Sequence, residues 1–137
     1  MTAAILVGVF GMAGALLRFA VDSWFAHRSD VSHSGRRARG NIGHRPQHWP
    51  WATLVVNIAG CLIIGLSIGI TGRLGLPEVL HTAVATGLAG GLTTFSSWTT
   101  ATIRLLTESR FSAAALNIAA NLVAGFAAAA AGIALVS

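Results

Sequence analysis

The sequence predicts an all-α membrane protein in which one domain, residues 1–137, crosses the bilayer four times. Three observations lead there. Of the 137 residues, 54% are hydrophobic and only 9% charged, and the mean hydropathy is +0.71. Soluble domains carry roughly 25% charged residues, so this chain is composed for lipid. Four long apolar stretches follow one another, and at about 20 residues per crossing of a ~30 Å hydrocarbon core they use nearly the whole chain. The third is interrupted by a polar, Gly-led run, Gly90-Gly91-Leu92-Thr93-Thr94-Phe95-Ser96-Ser97-Trp98.

The first stretch runs from Thr2 to Phe25, with Arg18 and Asp22 near its end. Nothing basic precedes its apolar part, Ala3 to Leu17, whereas a secretory signal needs a positive leading region. His27 to Pro50 holds Arg28, Arg36, Arg37, Arg39 and Arg45 among Ser, Gly and His. Without apolar periodicity, residues 27–50 read as a flexible, solvated basic loop. Trp49 and Trp51 at its end resemble interfacial anchors. The second stretch covers Trp51 to Ile70 and the third Pro77 to Leu106, with Pro77 suited to a first helical turn. The fourth, Ser112 to Val136, is Ala-rich and uncharged. Gly8, Gly11 and Gly14 in the first stretch, and Gly65 and Gly69 in the second, are spaced for close helix approach in a membrane.

Several functions are disfavoured. A pI near 11.7 suggests nucleic acid in a soluble protein, but here every basic residue is Arg and most lie in one loop, which is a signature of membrane topology. The single Cys61 cannot form an intrachain disulfide and reads as a small core residue. His27, His33, His44 and His48 are too scattered to read as a metal set, and His81 reads as interfacial or packed. No nucleophile–base pair or phosphate-binding loop is present, so the chain is not read as an enzyme. Asp22, Glu78 and Glu108 all lie near segment ends, and a proton-coupled drug transporter would need a central carboxylate.

The remaining polar groups point to an ion path. In a bilayer a helix breaks only where protein or a water-filled cavity satisfies its backbone, and discontinuous helices at membrane depth build ion sites. Adjacent glycines free the backbone at Gly90 and Gly91, and the hydroxyls of Thr93, Thr94, Ser96 and Ser97 can serve an ion. Arg18 is the one basic residue well inside a stretch; it is either functional or snorkels to the interface, and Asp22 at i+4 shares its helix face. Asn57, Asn117 and Asn121 either donate to a dehydrated anion or bond between helices, and Asn117 and Asn121, four apart, share a face. Three amides beside a broken helix favour the polar track.

With these residues in view, the chain resembles the fluoride channel family Fluc, also called CrcB. Gly90 to Ser96 carries the most specific match; Gly14-Ala15-Leu16-Leu17-Arg18-Phe19 and Thr53-Leu54-Val55-Val56-Asn57-Ile58-Ala59-Gly60 support it. The resemblance implies a dimer of two antiparallel four-helix subunits, each with its third helix broken at Gly90–Ser97, in a bacterial inner membrane. It implies two fluoride pores and a structural Na+ at the dimer centre, held by the backbone carbonyls of Gly90 and Thr93. Along the fluoride path it places Phe95 and Asn57, with Trp98 where the family has a second Phe, and Asn117 and Asn121 as the fourth-helix polar groups. Thr94 and Ser96 belong to the same path, and Arg18 would draw anions toward a vestibule. The function implied is a fluoride-selective channel subunit exporting cytoplasmic fluoride passively to relieve its toxicity. The alternatives are a non-conducting partner subunit and, from another class, a small multidrug-type transporter.

The Arg distribution adds an expectation about assembly. Arg28, Arg36, Arg37, Arg39, Arg45, Arg104 and Arg110 fall on one side of the membrane and only Arg73 on the other, leaving aside Arg18. Such a bias fixes one orientation, with both ends of the chain outside, whereas an antiparallel homodimer needs a chain that inserts both ways. This favours an oppositely oriented homologous partner over a homodimer.

Overall fold

A computed structural model describes residues 1–37 and 49–136, and of residues 29–37 the backbone alone. Helix α1 (Thr2–Arg37) is followed by α2 (Trp51–Leu74), and α6 (Phe111–Ala134) closes the fold. Three helices are long and apolar enough to cross a membrane, at Thr2–Arg28, Trp51–Leu74 and Phe111–Ala134. Between α2 and α6 the path is composite: α3 (Glu78–Thr82), a π-helical stretch over Ala83–Ala89, α4 (Gly90–Leu92) and α5 (Phe95–Thr107).

Helix α1 does not stop at Phe25, where the sequence suggested the basic loop begins, but continues to Arg37. Once a helix is nucleated, each further residue adds a hydrogen bond, and no proline interrupts Ala26 to Arg37. Near the apolar end of α1, Trp24 and Phe25 meet edge to face at 4.9 Å, and the Arg28 guanidinium lies 4.0 Å over the Trp24 ring. That is how an interfacial aromatic can hold a cation at a membrane boundary. Residues 38–48 of the basic loop, with Arg39, Arg45, His44 and His48, lie outside the described residues.

Two helix pairings organise the described chain. Helix α2 packs along α6 through small residues: a Cβ on Gly132 would stand 2.7 Å from the Leu62 carbonyl, and one on Gly65 would strike the Ala129 carbonyl. Helix α1 packs on the π-helical stretch and α4 in the same way, Gly14 facing the Leu88 carbonyl and Gly91 the Gly11 carbonyl. Helix α2 ends at Gly75, whose left-handed backbone (φ 61°) is the conformation glycine supplies at a helix C-terminus. The guanidinium of Arg73 reaches the Val136 carbonyl at 3.5 Å, tying the far ends of α2 and α6.

The buried apolar set is small (Val56, Ala83, Ala89, Leu92, Leu105 and Ala114), while large side chains such as Leu16, Phe19, Val123 and Phe126 are exposed. In water such a surface would be untenable; against lipid tails it costs nothing, and small residues then carry the helix contacts.

Candidate functional site: a polar chain at the helix interruption

Leaving α4, the backbone turns extended at two residues, Thr93 (φ −74°, ψ 157°) and Thr94 (φ −145°, ψ 114°), and becomes helical again at Phe95. The non-helical part is therefore narrower than the Gly90–Ser97 run expected from the sequence. Gly90 is itself helical (φ −64°, ψ −38°), and Gly91 makes room for α1. Gly91 acts here by close approach, a Cβ on Gly90 would meet nothing within 4 Å, and the threonines carry the departure from helix.

At membrane depth each released backbone group must find a partner. The last helical bond is donated by the Thr93 N–H to the Ala89 carbonyl at 2.9 Å. In an unbroken helix the Thr94 N–H would go to the Gly90 carbonyl; instead it donates to Asn57 Oδ1 at 2.9 Å. Asn57 Nδ2 returns toward the Thr94 carbonyl at 3.4 Å and donates to Asn121 Oδ1 at 3.0 Å. The Thr93 carbonyl accepts from Arg18 Nη1 at 3.3 Å. Arg18, half-buried, is thus turned into the protein at the interruption. Thr94 Oγ1 caps α5 by accepting from the Ser97 N–H at 3.2 Å and donates to Ser97 Oγ at 3.0 Å. Ser96 Oγ lies 3.3 Å from the same hydroxyl.

The three asparagines form one chain. Asn121 Nδ2 donates to the Asn117 carbonyl at 3.0 Å and approaches Asn117 Oδ1 at 3.3 Å. Asn117, fully buried, donates through Nδ2 to Thr102 Oγ1 at 2.9 Å, and that hydroxyl donates to the Trp98 carbonyl at 2.9 Å. The polar groups therefore run from Thr94 through Asn57, Asn121 and Asn117 to Thr102, joining α2, α5 and α6. Asn117 thus bonds between helices, one Nδ2 proton on Thr102 and its Oδ1 facing Asn121.

Trp98 directs its indole N–H at the Asn117 carbonyl at 3.3 Å, so that donor is occupied and the ring edge is what Trp98 offers. Phe95 packs edge-on against it, centroids 5.4 Å apart at 66°, and is 73% exposed on the surface of the single chain. Gly90 is likewise exposed.

Next to the interruption lies a cavity of about 450 Å³ bounded by Pro50 and Thr53 at the start of α2 and by Ser96, Ser97, Thr100, Ala101 and Arg104 of α5. Because Ser97 Oγ accepts from Thr94, its own proton is left to donate. Thr53, Thr100 and Thr102 were not singled out from the sequence as site residues, and Arg104 was noted only for its side of the membrane. The i, i+3 and i+4 spacing of 97, 100, 101 and 104 places them along one face of a helix, and that spacing was the available signal. Elsewhere, His81 Nδ1 pairs with Ser67 Oγ at 2.8 Å, a packed contact between α3 and α2. Among the described residues no cluster of His, Cys, Asp or Glu is arranged to hold a metal.

The family model for CrcB-like protein, Camphor Resistance (CrcB), matches residues 5–133. A fluoride-specific ion channel FluC of Renibacterium salmoninarum is 44% identical over 131 residues, covering 96% of either chain. The FluC of Azotobacter vinelandii is 39% identical over 126 residues, 88% of this chain and 89% of its own. Fluoride-specific ion channel FluC 1 of Thermobifida fusca is 38% identical over 133 residues, 97% and 94% of the two chains. With a family model spanning almost its full length and relatives this similar end to end, the chain belongs to the CrcB family of multi-pass membrane proteins.

Proposed function

We propose that this chain is a subunit of a fluoride-selective channel that lets cytoplasmic fluoride leave passively, and that it is not an enzyme. The observation that carries this reading is the chain of polar groups from Thr94 to Thr102 in an otherwise apolar helical membrane protein, in a family whose similar members are named fluoride-specific ion channels. Fluoride is small and strongly hydrated, so N–H and O–H donors must replace its water. The Ser96 and Ser97 hydroxyls stand at the cavity, and Asn57 Nδ2 follows, where fluoride would replace Asn121 Oδ1 as acceptor. The ring edges of Phe95 and Trp98, the positive part of the aromatic quadrupole, would flank the ion. Arg18, anchored on the Thr93 carbonyl, fixes a positive charge beside the interruption. The Asn117 amide, closed into protein bonds, would hold Asn121 in place and leave the ion to its neighbours.

The reading includes a dimer with a structural Na+. Carbonyl oxygens suit such a cation. The Gly90 carbonyl has lost the Thr94 N–H to Asn57, and the Thr93 carbonyl spends one lone pair on Arg18, so this chain supplies oxygens of the right kind. Gly90 and Thr93 would hold the ion, which would supply fixed positive charge where two interruptions meet. The exposure of Phe95 and Gly90 fits a second subunit over this face. The one-sided Arg distribution favours an oppositely oriented homologue as that subunit.

The test is efflux from liposomes loaded with both fluoride and chloride, followed with ion-selective electrodes. Fast fluoride release with chloride retained is expected. If the chain alone is silent, it is repeated with a co-expressed homologue, and silence there too, or release of both anions, overturns the channel reading.

A further inference from the structure

Among the described residues that line the cavity beside the interruption, Arg104 alone is charged. Arg104 lines the space together with Ser96, Ser97 and Thr100. It lies seven residues beyond Ser97 on α5, about 10 Å along the helix at 1.5 Å per residue. Its Nε is 3.8 Å from Glu108 Oε1, the i+4 position, and the other carboxylate oxygen faces Arg110 Nη1 at 3.6 Å. Two guanidinium groups thus share the Glu108 carboxylate at the end of α5. The side chains of Arg104 and Glu108 are 49% and 23% exposed, so the pair sits where water reaches it.

From this placement we infer that Arg104 is an anion-capture residue of the channel, raising the local concentration of fluoride at the cavity from which the Ser96 and Ser97 hydroxyls take it. Glu108 tempers that charge: it orients Arg104 through the ion pair and lowers the net positive potential. The inference rests on the channel reading and adds to it. Arg18 is anchored at the interruption, whereas Arg104 acts from the rim, before the ion loses its water. A charge at a rim between low-dielectric walls acts on the encounter rate and is screened by salt, whereas a structural role is not.

The experiment measures initial fluoride efflux from proteoliposomes containing the full chain, with its oppositely oriented homologue where homodimers are silent. Low fluoride is used at ~10 mM and ~1 M ionic strength, where the screening length is about 30 Å and 3 Å, set with an impermeant salt. Arg104→Gln is expected to lower efflux roughly two- to fivefold at low ionic strength, with the deficit vanishing at high ionic strength. Arg104→Lys should restore the rate, and Glu108→Gln should raise it at low ionic strength only. Equal rates for Arg104→Gln and the parent at low ionic strength overturn the inference. So does a deficit that persists unchanged in high salt, or one that lysine does not repair. If Arg104→Gln does not assemble, Glu108→Gln decides alone, since an unchanged or lower rate contradicts a tempered capture charge. A parent protein that releases no fluoride with or without the homologue sinks the channel reading itself, a different failure from an active parent indifferent to Arg104.

Discussion

Asn57 and Asn117 have the same side chain but unequal positions, and the difference is one of bond exchange. Asn57 is half-buried, its Oδ1 holding the Thr94 N–H and its Nδ2 the Asn121 amide, so on the proposed path an anion would take over the Nδ2 donor without orphaning the backbone. Asn117 is wholly buried with its amide closed onto Thr102 and Asn121. Asn57→Leu, which also takes the partner from the Thr94 N–H, is expected to remove fluoride flux even per folded protein, and Asn117→Leu to act on stability alone, lowering it by about 1 kcal/mol for the amide bonds to Thr102 and Asn121 that it loses. Thermal unfolding in detergent beside efflux per folded protein separates the two, and equal loss of flux per folded protein would contradict the division of roles. Trp98 yields a companion expectation. Trp98→Phe keeps the ring edge near Phe95 but loses the N–H bond to the Asn117 carbonyl, so conduction should survive at a cost of about 1 kcal/mol; abolished flux would show that the indole N–H serves the ion. Both asparagine roles were open in the sequence because an amide on an apolar helix has the same periodicity whether it faces a pore or a neighbour. Only the partner atoms distinguish them.

At the scale of elements, the composite path between α2 and α6 shows what residue type discloses and what packing decides. A Gly-Gly pair followed by hydroxyls marked the place of the interruption, yet the glycines are helical and the extended residues are Thr93 and Thr94. The sequence could not separate two reasons for glycine, backbone freedom and close approach, because the second depends on α1, far away in the chain. The same limit applies at the end of α1, where loss of apolar periodicity marked the exit from lipid, and the helix itself goes on to Arg37. If close approach is what glycine supplies, its replacement should be costly in proportion to what the new Cβ meets. A Cβ on Gly91 would strike the Gly11 carbonyl and crowd the Ala15 nitrogen at 3.1 Å, while one on Gly8 would meet nothing within 4 Å. Gly91→Ala should lower stability by about 1–3 kcal/mol, the usual cost of overpacking. Gly8→Ala should be neutral or slightly stabilising, since alanine is the better helix former. Melting temperatures of the purified proteins check this, and a tolerated Gly91→Ala would return the glycine pair to a role in backbone freedom.

For the whole molecule the open question is which way the chain faces, and charge is the lever. Arg104 and Arg110 flank the connection from α5 to α6 at the same end as Trp51, where α2 begins, while Arg73 lies beside Val136 at the far end. The described helices thus put the α5–α6 connection on the side of the basic segment between α1 and α2, and the sequence adds Arg28, Arg36, Arg37, Arg39 and Arg45 to that side. Positive-inside bias acts through Lys and Arg near the ends of spans, and here it is seven against one, so the basic side should be cytoplasmic and a reporter fused after Ser137 should lie outside. Paired reporters, one active only in the cytoplasm and one only beyond the membrane, measure this directly. Activity confined to the outside reporter is expected, and an antiparallel channel then requires a homologue of opposite bias. Comparable activity of both reporters would mean that the basic segment does not set topology and that homodimers suffice. Moving the bias supplies the converse check: replacing Arg36, Arg37, Arg39 and Arg45 by Gln leaves three Arg on that side against Arg73, and should shift a measurable fraction of chains to the opposite orientation. If charge alone fixes the orientation, that variant should also gain efflux without a partner, because both orientations would then be present in one membrane.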